Sequence, residues 1–287
     1  MKGILYKNIT AEDKNKILDI FNSIGVGKIN KISIESGFSA RHISKVLKEN
    51  GVNIKRRKNY TLNDSFFSDI LSQDQAYLLG LIYADGSVED NRNLISVSSK
   101  DKSYLEEVKM IINYDGEIIE RISGYGKTYY IISFSSEQMS RDLKKFGLGY
   151  NKAESLLTLP NIPEYLIRHF LRGYFDGDGC IYESTSTTMS MNKKYYYKVF
   201  AVEIIGNQEF LEKIGDVFSK YEISYTFKNS KCDYMKYIKV KGNRNLNKLH
   251  RLFYSNANVY LPRKKVIFDK MKSTSKKEIT ISDDRQK

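Results

Sequence analysis

The sequence is poor in the residues that build disulfide-stapled or zinc-stapled folds. Its 287 residues include two cysteines, Cys180 and Cys232, and three histidines. Two cysteines cannot form a disulfide framework, and with three histidines they make a poor zinc inventory. A reduced cytoplasmic compartment is expected. No run of about 18 apolar residues occurs, so no helical membrane span is expected. The opening stretch, MKGILYKNITAEDKNK, lacks the apolar core of a secretory signal. Hydrophobic residues still make up 41% of the chain, enough for packed cores and too many for a disordered protein. The length predicts two or three compact units.

Positive charge is what the chain has in excess. Lys and Arg number 47 against 34 Asp and Glu, a net +13. Such a balance fits a polyanionic partner, most often nucleic acid, although a lysine-rich proteome gives the same excess. Its distribution favours the partner. Residues 1–60 hold 13 basic and 5 acidic side chains, a net +8 that leaves +5 for the remainder.

Within that basic segment, residues 10–23 predict a helix. Thr10 is its N-cap, Asp13 completes part of a capping box, and Ile17, Leu18, Ile20, Phe21 and Ile24 form its apolar stripe. A second helix ends near Ser36, and Gly37-Phe38-Ser39 makes a tight turn. A third helix runs from Ala40 to Glu49, capped by Ser39. This pattern is that of a helix-turn-helix unit, with Ile43 and Val46 inward. Arg41, His42, Ser44, Lys45 and Lys48 would face outward, where a helix reading the major groove needs them. A three-helix bundle with no DNA role fits the same pattern. The following Lys55, Arg56, Arg57 and Lys58 read as an extended arm against phosphates, or as a solvated linker.

The strongest internal signal is a repeat. AYLLGLIYADGSV (Ala76 to Val88) matches HFLRGYFDGDGCI (His169 to Ile181), and SYLEEV (Ser103 to Val108) matches EFLEKI (Glu209 to Ile214). Each leading segment is an apolar helix with small residues at i, i+4: Gly80 and Ala84 in one, Gly173 and Gly177 in the other. A helical glycine costs about 1 kcal/mol against alanine, so a close helix–helix approach must offset it. Side by side, the two helices would set Asp85 and Asp178 together at their C-terminal ends. Like charges at a negative dipole end are doubly unfavourable, and a hard divalent cation relieves both problems. Oxygen ligands suit Mg²⁺, and such a site can activate water against a phosphate. A single Asp-Gly is only a common turn signal; two in matched context carry the argument.

At these residues the chain resembles the LAGLIDADG homing endonucleases in their single-chain, two-motif form. LLGLIYADG (Leu78 to Gly86) and LRGYFDGDG (Leu171 to Gly179) stand for the nine-residue signature. The resemblance implies a mixed α/β fold of two αββαββα repeats, each with a four-stranded antiparallel sheet, forming a saddle over the DNA major groove. It implies that Asp85 and Asp178 are catalytic and bind the metal, Mg²⁺ or Mn²⁺. It also implies a basic residue near each centre, at Lys152 in GLGYNKAE and at Lys264 in YLPRKK, with Lys265 an open alternative to Lys264. Leu79 and Arg172 replace the signature's alanine. Tyr83 replaces its first aspartate, which Asp176 keeps.

In YIKVKG, alternation turns Ile238 and Val240 one way and Tyr237, Lys239 and Lys241 the other, toward a groove. Tyr195 to Tyr197 fit either groove contact or sheet packing, and His169 and His250 read as structural.

The expected organisation is a helix-turn-helix domain at 1–54, a basic linker at 55–65, repeats at 66–165 and 166–271, and a disordered tail at 272–287. The expected activity is metal-dependent double-strand cleavage of a long DNA site, leaving short 3′ overhangs, by a monomer with double-stranded DNA as partner. A regulator with dead chemistry and an intron maturase bound to intron RNA are the rivals. An intein is not expected from the two ends of the chain.

Overall fold

The computed structural model describes residues 6–25, 28–52, 60–89, 91–149, 158–190, 193–232, 235–273 and 280–282. The chain divides between Tyr60 and Thr61 into two compact units.

Among the described residues, the N-terminal unit has three α-helices, α1 (Ala11–Ile24), α2 (Ile29–Ser36) and α3 (Ala40–Glu49). Their shared core is Ile17, Ile32, Phe38, Ile43, Val46 and Leu47, with Ile9 joining from the preceding turn. The capping box at the start of α1 is complete: Thr10 Oγ1 accepts from Asp13 N at 3.1 Å, and Asp13 Oδ2 accepts from Thr10 N at 3.0 Å. Gly37 ends α2 at φ 81°, a left-handed conformation that favours glycine. The Ser33 hydroxyl donates to Phe38 O at 2.5 Å and fixes the turn. The basic arm Lys55, Arg56, Arg57 and Lys58 lies outside the described residues.

The second unit repeats one arrangement twice. The first copy runs α4 (Gln73–Asp85), β1 (Gly86–Glu89), β2 (Leu94–Ser99), α5 (Lys102–Ile111), β3 (Ile119–Ile122), β4 (Thr128–Ser135) and α6 (Glu137–Lys145). The second runs α7 (Glu164–Asp178), β5 (Gly179–Ser190), β6 (Lys193–Asn207), α8 (Gln208–Lys220), β7 (Thr226–Asn229), β8 (Met235–Lys241) and α9 (Asn243–Tyr254), followed by α10 (Pro262–Ser273). Both sheets are antiparallel and share one order, β1-β2-β4-β3 and β5-β6-β8-β7. This is the αββαββα pattern expected for each repeat. Among the described residues, no helix is long and apolar enough to cross a membrane.

Period-two alternation decides which face of each sheet is covered. Ile95, Val97, Ile132 and Phe134 are buried in the first sheet, and Val202, Ile204, Ile238 and Val240 in the second. The opposite faces carry Ser96, Ser98 and Ser133 in one sheet and Tyr182, Glu203, Tyr237, Lys239 and Lys241 in the other. The Ser/Thr/Lys/Tyr-rich stretch that lengthens the second copy forms a long hairpin, paired from Gly179↔Ile204 to Ser190↔Lys193. In it Tyr195, Tyr196 and Tyr197 are half-buried strand residues.

The C-terminal segment corrects the expectation of a wholly disordered tail from residue 272. Helix α10 continues to Ser273, and β9 (Thr280–Ser282) pairs with Lys194–Tyr196 of β6. The strand is made of β-branched Thr280 and Ile281, and the hairpin offers an open strand edge.

Helices α4 and α7 pack against one another along their length, and glycine permits it. A Cβ on Gly80 would lie 2.0 Å from Phe170 O, and one on Gly173 would lie 1.9 Å from Tyr77 O. The contacts are reciprocal: 80 meets 170 and 174 as 173 meets 77 and 81. That reciprocity is the signature of a pseudo-two-fold axis between the helices. Every residue of α4 from Ala76 to Ala84 is buried, which explains why its sequence is apolar all round rather than striped.

Candidate functional site

Asp85 and Asp178 are the last helical residues of α4 and α7, and Gly86 and Gly179 carry the chain straight into β1 and β5. Close packing selects these two glycines: a Cβ on Gly86 would meet Ile82 Cα at 2.6 Å, and one on Gly179 would meet Phe175 O at 2.5 Å. The two acids sit at the ends of the packed helices α4 and α7. The Cβ position of Gly177 lies 3.4 Å from Asp85 Cγ, and Asp178 is the next residue. Asp85 is exposed and Asp178 half-buried. The hydroxyl of Tyr174 donates to Ile205 O at 2.9 Å. Burial first, and then the charges of Asp178 and Asp85, hold that hydroxyl protonated well beyond the ordinary tyrosine range.

Lys264 reaches the same place from α10. It is 4% exposed, and its Nζ donates to the carbonyls of Phe175 at 2.6 Å, Asp176 at 2.7 Å, Gly177 at 3.4 Å and Gly179 at 2.5 Å. The last turn of a helix leaves carbonyls without intrahelical partners and concentrates negative potential, so a cation there answers both. Burial pushes the ammonium down to about 8, against the opposing pull of Asp176 and Asp85. Lys265, the open alternative, points elsewhere: it pairs with Asp269 at 2.6 Å and sits over the Tyr260 ring. Lys152 lies outside the described residues.

Asp176 anchors a buried polar chain behind the acids. Its Oδ2 accepts from Tyr77 OH and from Leu261 N, both at 2.8 Å, and the Tyr77 hydroxyl meets that of Tyr104 at 2.6 Å. Burial raises the Asp176 carboxyl to about 6, while Lys264 and these donors pull it back. In the first repeat Tyr83 OH donates to Phe146 O. Arg172, the odd residue in the signature, is fully buried. Its guanidinium donates to Val259 O and Phe253 O, both at 2.9 Å, and to His169 Nδ1 at 2.7 Å. His169 is held neutral, its value lowered to about 4 by burial and by Arg172. His250 meets Asp269 at 3.2 Å. Sequence reading named Arg172 only as a departure and did not find Tyr77 or Tyr104; buried tyrosine hydroxyls leave no spacing signal.

Beside Asp85 opens a cleft of about 330 Å³, lined among others by Ser98, Lys100, Tyr104, Lys127 and Arg263. Lys100 and Lys127 share this lining with the acid, whereas Arg263 Nε is paired with Asp101 Oδ2 at 3.1 Å.

The residues singled out for groove contact fare unequally. On α3, Arg41, Lys45 and Lys48 are exposed, and His42 and Ser44 are half-buried. Lys45 Nζ lies over the Tyr6 ring at 3.8 Å and near Glu49 at 4.0 Å, and the His42 ring is 5.7 Å from Tyr6. On β8, Tyr237, Lys239 and Lys241 share the uncovered face as alternation requires, and Lys241 is exposed. Lys239 needs correction: it is 6% exposed, and its ammonium bonds Tyr182 OH and Glu203 Oε1, so it is no free reader of bases. The partner Glu203 sits directly across the strand pair, a register that β8 alone does not disclose.

The donor chemistry fits a hard divalent cation. No cluster of three or more His, Cys, Asp or Glu suited to a metal occurs among the described residues. Asp85 and Asp178 would supply two carboxylates, and water and phosphate oxygens would complete the shell. Mg²⁺ is commonly held that way, by one or two carboxylates plus phosphates.

Comparison with known proteins agrees with this geometry. The family model of the LAGLIDADG-like domain matches residues 72–147 and 166–261, the two repeats. The fold is similar to that of the meganuclease I-SmaMI bound to uncleavable DNA, with 15% identity, a TM-score of 0.50, and coverage of 70% of this chain and 88% of that one. Two curated proteins of Methanocaldococcus jannaschii are related in sequence. A probable translation initiation factor IF-2 is 25% identical over 62% of this chain, and a reverse gyrase 26% identical over 70%. The chain spans only 15% and 11% of their lengths, so what they share with it is one segment of each. With two matched repeats, a shared sheet order and paired motif helices, the chain belongs to the LAGLIDADG-like domain family and has the fold of the single-chain LAGLIDADG homing endonucleases.

Proposed function

We propose that this chain is a site-specific endonuclease that cuts both strands of double-stranded DNA with the help of Mg²⁺ or Mn²⁺ and leaves short 3′ overhangs. The observation that carries the reading is that Asp85 and Asp178 end the two packed helices α4 and α7, one acid from each repeat. A divalent cation bound there supplies Lewis-acid stabilisation of a phosphate and a more acidic bound water. The protein's own groups do the rest. The two carboxylates hold the cation-binding geometry, and the glycine contacts between helices fix their separation. Lys264 ties down the backbone on both sides of Asp178, and Tyr174 packs against that acid. Lys100 and Lys127, which line the cleft beside Asp85, would give the phosphodiester chain a cationic wall.

Two acids at neighbouring helix ends would serve two strands where the strands' phosphates approach one another, across a minor groove about 6 Å wide. Cutting across that groove produces a 3′ stagger. Each repeat would serve one strand, so a single chain suffices. The uncovered sheet faces would meet the major groove, and α3 with the arm at residues 55–58 would add affinity outside it.

The test uses the purified full chain, Mg²⁺ and a randomised duplex library, with the cut ends sequenced. Asp85→Asn and Asp178→Asn should each abolish double-strand cleavage while leaving binding to the selected duplex largely intact. Wild-type cleavage rates in Asp85→Asn would overturn the assignment.

A further inference from the structure

The uncovered face of the second sheet carries one arrangement that a phosphate-binding surface does not need. Four strands each place one side chain in it: Tyr182 from β5, Glu203 from β6, Lys228 from β7 and Lys239 from β8. The register sets them on one face. Glu203 pairs with Lys239, Tyr182 pairs two residues from Glu203, and Lys228 pairs two residues from Lys239. Every donor converges on the same carboxylate oxygen. Glu203 Oε1 accepts from Lys239 Nζ at 2.5 Å and from Tyr182 OH at 3.0 Å, with Lys228 Nζ at 3.6 Å. None of these bonds uses Oε2. Burial favours the neutral acid, but the donors outweigh it and keep Glu203 ionised. Lys239 is buried beneath the cluster, whereas the Lys228 side chain is 48% exposed and that of Glu203 21%.

The cluster is thus a fixed carboxylate whose second oxygen takes no bond among the described residues, beside an ammonium that still reaches solvent. A carboxylate repels phosphate, so this spot is unsuited to the DNA backbone. It is an acceptor-only group next to a donor. In the major groove a cytosine presents an N4 amino donor, and its paired guanine presents the acceptors O6 and N7. Adenine also offers an amino group but sets the N7 acceptor beside it, which an anionic acceptor disfavours. Resting on the proposed DNA-cleaving function, we infer that Glu203, held by Lys239 and Tyr182, reads the cytosine of one C·G base pair in the target while Lys228 faces its guanine. The buried pair with Lys239 has a clear part in this: it removes the rotamer freedom that an exposed glutamate would lose on binding.

The experiment is selection from a randomised duplex library by the full chain in metal-free buffer, followed by binding measurements on the selected duplex and its single-base variants. Glu203→Gln should lower discrimination for C·G about tenfold at one position and leave the other positions as they were. Lys228→Ala changes an exposed side chain and leaves the Glu203–Lys239 pair in place. It should weaken the preference at that same position. Thermal melts of both variants check that the sheet persists. An unchanged profile for Glu203→Gln, or an equal loss at every position, would overturn the inference, leaving the cleavage reading standing if Mg²⁺ still yields cut ends. A wild-type chain that enriches no duplex would overturn both.

Discussion

Replacing Gly173 by alanine puts the packing argument at risk. In an exposed helix the change would stabilise by about 1 kcal/mol, because alanine is the better helix former. Here the new methyl carbon would lie 1.9 Å from Tyr77 O, 2.9 Å from Leu81 N and 2.9 Å from Tyr77 C, all backbone atoms that cannot rotate away. To reach an ordinary contact of about 3.5 Å, helices α4 and α7 must part by about 1.5 Å. Overpacking of this kind costs about 1–3 kcal/mol where side chains can yield, so the upper end applies to backbone. Subtracting the helix-propensity gain leaves a net loss of about 2 kcal/mol or more. For a unit of this size that is a fall of about 4–8 °C in melting temperature. Gly80→Ala makes the mirror contact with Phe170 O at 2.0 Å and should cost the same. The double variant should cost less than the sum, since one widened gap accommodates both methyl groups. Gly124→Ala, with nothing within 4 Å of its Cβ position, is the control and should shift nothing. Calorimetry or denaturant titration reads all four. A Gly173→Ala protein that melts at or above wild type would refute the close-approach account. It would also remove the reason for placing the two acids together.

Lys264→Met leaves four backbone carbonyls without their cation and should lower stability by at least about 2 kcal/mol, while slowing single-turnover cutting about 10²-fold. Normal values of both would show that the ammonium is an incidental cap. Asp142 is fully buried; burial raises its carboxyl, but hydrogen bonds from Lys145, Gln138 and Ser68 win and hold it low. Its contribution to stability is therefore present above about pH 4 and lost as pH falls through the lowered value, so Asp142→Asn should flatten the acid limb of a stability–pH curve. An acid limb as steep as that of the wild type would contradict this. Deleting residues 1–60, which form their own compact unit, should lower affinity and shorten the protected footprint on one side, and neutralising Lys55, Arg56, Arg57 and Lys58 should flatten the salt dependence of binding by roughly 2–4 in slope. An unchanged footprint would separate that unit from DNA.

The sequence disclosed those features in which neighbours along the chain decide the outcome. The caps of α1 and α3, the turn at Gly37, the paired Gly and Ala or Gly of the motif helices, and the alternation in β8 all follow from local spacing. What escaped depends on which distant strands or helices meet. Alternation places Lys239 on the same face of β8 as Tyr237 and Lys241. Only the β6–β8 register brings Glu203 opposite and takes the ammonium away. The tail reads as polar and disordered until the hairpin edge at Lys194–Tyr196 supplies a partner for β9.

The same distinction explains where the two repeats stay alike and where they have drifted. On the axis, each contact is matched by its counterpart in the other copy: Gly80 lies against the backbone at 170 and 174 as Gly173 does against that at 77 and 81, and Gly177 lies against Ala84 and Asp85. A change in one copy there strikes the other copy, so little variation is physically tolerable. Off the axis that constraint lapses, because a motif side chain need only satisfy the loop of its own repeat. Tyr83 donates to Phe146 O, just after α6, whereas Asp176 accepts from Leu261 N, just before α10. One is a donor to a carbonyl and the other an acceptor from an amide, yet both tie the motif helix to the segment that follows the last helix of the repeat. Arg172 extends the same logic. Where the first copy has buried Leu79, the second has a guanidinium that satisfies the carbonyls of Phe253 and Val259, at the end of α9 and in the loop before α10. The second repeat thus fixes by polar bonds the segment that delivers Lys264, and the departures from the signature are local solutions to one positioning task.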